Sequence, residues 1–89
     1  MLESAIQSKI IKRLEKSGWI VIKLIQTTKN GIHDIIALKN SKAVFIEVKK
    51  PGETPSDLQK YRHRKIREAG FDSFWVDNVD DEQLFKYYK

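Results

Sequence analysis

Asp34-Ile-Ile-Ala-Leu-Lys-Asn-Ser-Lys-Ala-Val-Phe-Ile-Glu-Val-Lys49 is the stretch whose reading decides the fold of this 89-residue chain. Two segments rich in β-branched and aromatic residues, 34–39 and 42–49, are separated by Asn40-Ser41, the only turn chemistry between them. The expectation is a β-hairpin. With the loop centred on Asn40-Ser41, residues whose numbers sum to 81 face each other, which sets Asp34 opposite Glu47. Directly opposed side chains have Cβ atoms about 4.5–5.5 Å apart, and like charges there repel. Two carboxylates so placed call for a positive charge between them, and a divalent cation bound by oxygen ligands supplies it. Lys49 leaves the same face of its strand roughly 7 Å beyond Glu47. Two acids for a metal with a lysine beside them suit phosphodiester hydrolysis. Against this stands a plainer reading, in which Glu47 and Lys49 form an ion pair on an exposed strand and Asp34 ends a loop. Glu-x-Lys is frequent on strands by chance, and the register with Asp34 is what favours the site.

Outward from the hairpin, residues 3–16 read as an amphipathic helix, with Ile6, Ile10 and Leu14 recurring every four residues and Leu2 and Ala5 widening the apolar side. Gly18 ends it. Residues 19–25 follow as a strand apolar on nearly both faces, which predicts a central position in the sheet. Residues 26–31 are a polar loop closed by Asn30-Gly31. After the hairpin, Pro51-Gly52 breaks the chain before a second helix, with Thr54 as N-cap, Pro55 at the first helical position, Asp57 at the third and Gly70 as the stop. Residues 71–76 read as a strand. Asp80 or Asp81 caps a short last helix carrying Leu84, Phe85 and Tyr88. The order is α-β-β-β-α-β-α, and a right-handed crossover returns the last strand parallel to the third. This is an α/β domain spanning residues 1–89, a mixed four-stranded sheet flanked by helices.

Composition bounds the function. Hydrophobic residues make up 40% and charged residues 33%, a globular balance, and the absence of cysteine excludes disulfides, thiolate metal sites and cysteine nucleophiles. The opening Met1–Lys9 interleaves charge with apolar residues, unlike a secretion signal, and no apolar run has membrane-spanning length, so no membrane partner is expected. Two histidines, His33 and His63, cannot make a zinc constellation. The net charge of +5 favours a polyanionic partner. On a wheel of the second helix, Leu58, Tyr61, Ile66 and Ala69 define a buried side, while Lys60, His63, Arg64 and Arg67 gather opposite. With Lys29, Lys50, and Lys9, Lys12 and Arg13 of the first helix, they are candidates for phosphate contacts that give affinity without sequence information. A merely solvated face is the competing reading. Arg62 falls inside the apolar arc, either reaching over the site or snorkelling. Trp19, Phe74, Trp75, Tyr87 and Tyr88 are expected in the core or an interface rather than as platforms for bases.

Gly31-Ile-His-Asp34 followed by Glu47-Val-Lys49, in this element order, resembles the PD-(D/E)XK nuclease superfamily, whose restriction-endonuclease-like core is built in the same sequence. Glu3 and Gln7 on the first helix, the Gly-x-x-Asp spacing, and Gln59 early in the second helix resemble its virus-type replication-repair nuclease (VRR-NUC) family. The resemblance runs from Glu3 to about Val76. His33 stands where the family commonly has proline. The resemblance implies that Asp34, Glu47 and the Val48 carbonyl hold Mg²⁺ or Mn²⁺, which activates a water and neutralises developing charge. Lys49 would orient that water or stabilise the pentacovalent state, and in-line attack would leave 5′-phosphate and 3′-hydroxyl ends. Glu3 would serve a second metal or a bound water, or is a solvated helix-end charge. Gln59 would position Lys49, substrate or water, or is a surface glutamine. The substrate implied is branched or flapped DNA, such as a Holliday junction. The enzyme implied is a homodimer, phage- or mobile-element-borne, acting in the cytoplasm of a bacterial host. The alternative is a non-catalytic basic nucleic-acid-binding module on a nuclease-like scaffold.

Overall fold

The computed structural model describes residues 3–24, 34–80 and 84–85. Its elements run in the order α1 (Glu3–Lys16), β1 (Ile20–Lys23), β2 (Ile35–Lys39), β3 (Lys42–Val48), α2 (Asp57–Glu68) and β4 (Asp72–Val76). The four strands form one sheet in the order β1-β2-β3-β4. β1, β2 and β3 are an antiparallel meander, and β4 lies parallel to β3 after the α2 crossover.

The hairpin has the expected register. β2 and β3 pair from Lys39↔Lys42 to Ile35↔Ile46 without a bulge. Asn40 and Ser41 adopt φ of 49° and 64°, the two left-handed positions of a tight hairpin turn whose twist matches the flanking strands. Strand alternation then separates two faces. Val44, Ile46 and Val48 join Ile35, Ala37 and Val76 in a core closed by Ile6, Ile10 and Leu14 of α1, with Trp19, Leu84 and Phe85. Glu47 and Trp75 are partners across the β3–β4 ladder and belong to the opposite face, which α2 covers by packing on β4.

α1 ends as Gly18 turns to φ 92° and the Trp19 N–H donates back to the Leu14 carbonyl at 3.1 Å. Arg13 ties this helix to the C-terminal part of the chain. Its guanidinium lies 3.8 Å from the Phe85 ring centroid and donates to the Val79 carbonyl at 3.2 Å and to Asp80 at 3.1 Å. These contacts tie α1 to the C-terminal part of the chain through the guanidinium that the sequence reading offered to phosphates.

Three expectations are corrected. β1 is an edge strand, first in the order β1-β2-β3-β4, and with α2 packed on the β4 side its Ile20 and Ile22 are 66% and 45% exposed. The N-cap of α2 is Ser56 rather than Thr54, which leaves the buried Pro55 just before the helix. Ser56 and Gln59 make a complete capping box: Gln59 N donates to Ser56 Oγ at 3.2 Å and Ser56 N to Gln59 Oε1 at 2.9 Å. The docked side of α2 carries the half-buried Gln59, Arg62, His63 and Ile66, whereas Leu58, Tyr61 and Ala69 face solvent. The wheel misjudged this side because the strands below offer Glu47 and Ser73, polar partners that select polar side chains. Leu84 and Phe85, expected on the short last helix, are helical and buried in the chain's own core. Leu2, residues 25–33 with Lys29, Gly31 and His33, and Asp81, Lys86, Tyr87 and Tyr88 lie outside the described residues.

Candidate active site

Where β2 begins, its chain bends at Asp34, and one further step along the hairpin register brings Asp34 against Glu47. The two residues are held reciprocally. Asp34 Oδ2 accepts from the Val48 N–H at 3.1 Å, and the Asp34 backbone N–H favours the ionised form of the Glu47 carboxylate. Two carboxylates are thus joined through each other's strand rather than left to repel in solvent.

Glu47 is only 4% exposed. Its Oε1 accepts from the Gln59 side-chain amide and lies 3.6 Å from Lys49 Nζ. Oε2 is buried with no hydrogen-bond partner. Burial and then the Asp34 charge push the Glu47 carboxyl from its ordinary 4.5 up to about 7; Lys49 and the Asp34 N–H pull it down, and Glu3 adds a smaller upward push. An isolated exposed ion pair on a strand would have neither this burial nor this shift. Lys49 is itself largely covered, with its side chain 15% exposed. Gln59 is oriented from both ends, since its Oε1 belongs to the helix cap and its Nε2 to Glu47. Glu3, half-buried at the start of α1, is near enough to act on Glu47, and Gln7 is half-buried one helical turn on.

Among the described residues no three His, Cys, Asp or Glu side chains group to hold a metal unaided. The donor set is nevertheless a fit for a hard divalent cation, which takes few protein carboxylates and completes its shell with water and phosphate oxygens. The unpartnered Glu47 Oε2 is the specific observation: a buried carboxylate oxygen without a donor is costly and is relieved by a cation.

The basic residues divide. Lys50, Lys60 and Arg64 are exposed. Arg67 donates through Nε and a terminal nitrogen to the Ser73 carbonyl, at 3.0 and 2.9 Å, and so ties α2 to β4. His63 turns toward β4, where Ser73 Oγ lies 3.0 Å from its Nδ1. Burial first, then the Arg67 charge, lower its pKa, so it brings little positive charge to a phosphate. Arg62 reaches back over the Tyr61 ring, 5.3 Å from its centroid.

Sequence reasoning missed two features. Ser56 orients Gln59, and the Ser-x-x-Gln spacing was there to be read as a capping box. Trp75, expected in the core or an interface rather than as a platform for bases, is 40% exposed and lines a cavity of about 70 Å³ with Glu47, Pro55, Gln59, Lys60 and His63. Nothing local in the sequence separates this tryptophan from a core one.

A meander, a crossover helix and a parallel fourth strand, with two carboxylates and a lysine at the mouth of the hairpin, have the architecture of the PD-(D/E)XK nucleases. No family model matches the sequence. The chain is 30% identical over 79 residues to "Putative nuclease p44" of Acyrthosiphon pisum secondary endosymbiont phage 1, covering 88% of this chain and 85% of that protein. A solved structure described as a VRR_NUC domain superposes with a TM-score of 0.86 at 27% identity, over 98% of this chain and 97% of that one. The chain belongs to the VRR-NUC family of nucleases.

Proposed function

We propose that this chain is a Mg²⁺- or Mn²⁺-dependent deoxyribonuclease that cuts branched or flapped DNA, Holliday junctions included, without sequence preference. The observation that carries the reading is Glu47: buried, with Oε2 unpartnered, and flanked by Asp34, Lys49 and Gln59. Asp34, Glu47 and the Val48 carbonyl would hold the cation, which when bound supplies Lewis-acid polarisation of the phosphate and an activated water. Lys49, whose Nζ lies 3.6 Å from Glu47 Oε1, would stabilise charge developing on the phosphoryl oxygens. Gln59 keeps Glu47 in one rotamer, so the ligand oxygen stays aimed without reorganisation. Glu3 is a candidate for an outer contact through water.

The exposed cations Lys50, Lys60 and Arg64, together with Lys29, would contact phosphates and give sequence-independent affinity. Association as a homodimer is supported by the open sheet face. Ile20 and Ile22 of the edge strand share it with Ile36 and Leu38, their ladder partners on β2, and such contiguous apolar surface marks an interface. A two-fold pair of sites matches a junction cut on two strands. The 89 residues would act as a single nuclease domain, and kinship with a phage protein supports a phage-borne enzyme working in the host cytoplasm. The test is incubation with end-labelled four-way junctions, flaps, single strands and duplex in Mg²⁺, Mn²⁺ or EDTA. Metal-dependent cuts at branches are expected, and binding without cutting in any metal would instead identify a non-catalytic module.

A further inference from the structure

The structure assigns the cleft between α2 and β4 as a subsite for one unpaired nucleobase, stacked on Trp75 beside the candidate site at Glu47 and Lys49. This rests on the nuclease reading and deepens it by naming what selects unpaired DNA.

Trp75 and Glu47 are ladder partners in parallel strands, so their side chains leave the sheet on the same side. Trp75 then stands one strand over from the candidate ligand, on the flank away from Asp34. Trp75 is 40% exposed and lines the cleft, so part of its ring is open to a stacking partner. The cavity beside it is about 70 Å³ and reaches from Glu47 to Pro55, Lys60 and His63. At about 10–15 Å³ per water position it has room for about five waters. That is the scale of one planar base and far below that of a base pair.

The walls suit this occupant. Trp75 offers a flat aromatic face, and the buried Pro55 offers an apolar floor. His63, fixed by its contact with Ser73, gives the cleft a polar side. Lys60, exposed on α2, puts a positive charge at the mouth, where the backbone of the docked nucleotide would leave. Charge and aromatic surface in one cleft are the elements of single-strand recognition, which tolerates any base because every base has a π-face. A paired base is stacked on both sides and cannot present a face to Trp75. An unpaired one beside a branch point can, so selectivity for branches arises without any base-reading contact.

The test measures binding in EDTA, where cleavage plays no part. The probes are a flap carrying 2-aminopurine at the first unpaired position and a fully paired duplex of the same length. Wild type is expected to change the 2-aminopurine emission and to prefer the flap. Trp75→Ala should lose roughly tenfold in flap affinity, within the range of one base–aromatic stack, with little change on duplex, and Trp75→Phe should recover most of the loss. Equal losses on both probes, no loss on either, or a Trp75→Ala protein that merely dissociates in sedimentation would overturn the subsite. Thermal melts of both variants report folding, and a folded Trp75→Phe that fails to recover flap affinity also counts against it. Cleavage of branched DNA by a Trp75→Ala enzyme with undiminished flap preference would sink the subsite alone. Trp75-dependent flap binding by a protein that cuts nothing in Mg²⁺ or Mn²⁺ would sink the nuclease reading alone.

Discussion

The side-chain amide of Gln59 joins the cap of α2 to Glu47: its oxygen accepts the Ser56 N–H at 2.9 Å while its nitrogen donates to Glu47 Oε1. One residue therefore ends a helix and orients a candidate ligand. The helix cannot shift without moving the carboxylate, which links the stability of α2 to the geometry of the site.

Gln59→Ala should therefore lower both. Loss of the cap interaction costs about 1 kcal/mol of stability, visible as a lower denaturation midpoint, and turnover should fall more than the loss of folded protein explains. Ser56→Ala tests the link from the other end. It removes the Oγ that accepts the Gln59 backbone N–H but keeps the Ser56 N–H on Gln59 Oε1, so a fall in turnover there would trace to a shifted helix start. Turnover unchanged in both variants, measured under folded conditions, would reduce Gln59 to a helix cap.

Glu47 gives the metal-free protein a pH dependence of definite sign. Its folded pKa, about 7, lies above its ordinary 4.5, so its contribution to stability is fully present below pH 4.5 and is lost as pH rises through 7. At ~1.4 kcal/mol per pH unit the loss approaches about 3 kcal/mol by pH 8. Glu47→Gln should melt higher than wild type at pH 8 in EDTA, with the difference vanishing near pH 4. Mg²⁺ should raise the wild-type melting temperature at pH 8 and leave Glu47→Gln unmoved. Cleavage should be abolished in Glu47→Gln and Asp34→Asn, whereas Lys49→Ala should lose turnover yet keep the Mg²⁺-dependent rise in melting temperature.

The cations of α2 should separate by salt dependence. Replacing Lys60 and Arg64 by Gln should flatten the slope of log affinity against log salt by about one unit per lost phosphate contact, alike on all sequences. Arg67→Gln should act differently. It breaks the bridge to the Ser73 carbonyl, so it should lower stability by about 1–3 kcal/mol. An equal slope change from Arg67→Gln with no loss of stability would return it to the phosphate-binding set.

Ser41 occupies a left-handed position at φ 64°, which costs a non-glycine residue about 1–2 kcal/mol. Ser41→Gly should relieve this, less the greater freedom glycine has when unfolded, for a net gain of about 0.5–1 kcal/mol. Thermal or urea denaturation measures it, and a lower midpoint would contradict the turn geometry.

If the open sheet face pairs two copies, Ile20→Lys should convert the protein to a monomer by sedimentation equilibrium and spare its melting temperature, since Ile20 is outside the core. Coordinated cutting of both strands of a junction should be lost, while flap cleavage per site remains. A wild-type protein that sediments as a strict monomer with junction DNA bound would remove the two-fold scheme.

The β2–β3 hairpin was legible from residues alone, because alternation with period two and the Asn40-Ser41 turn leave a single register, and that register carries Asp34 to Glu47. Helix α1, the parallel return of β4 and the stop at Gly70 were legible for the same reason: each depends on near neighbours or on chain chirality. The tertiary structure alone decided what depends on distant partners. β1 looked central because its residues are apolar on both faces, yet exposure depends on how far α2 extends across the sheet. The docked side of α2 is polar because Glu47 and Ser73 lie beneath it, which no helical wheel contains. Trp75 is open, and Glu47 Oε2 lacks a donor, for the same physical reason: burial and hydrogen bonding belong to the packed elements, not to the residue type.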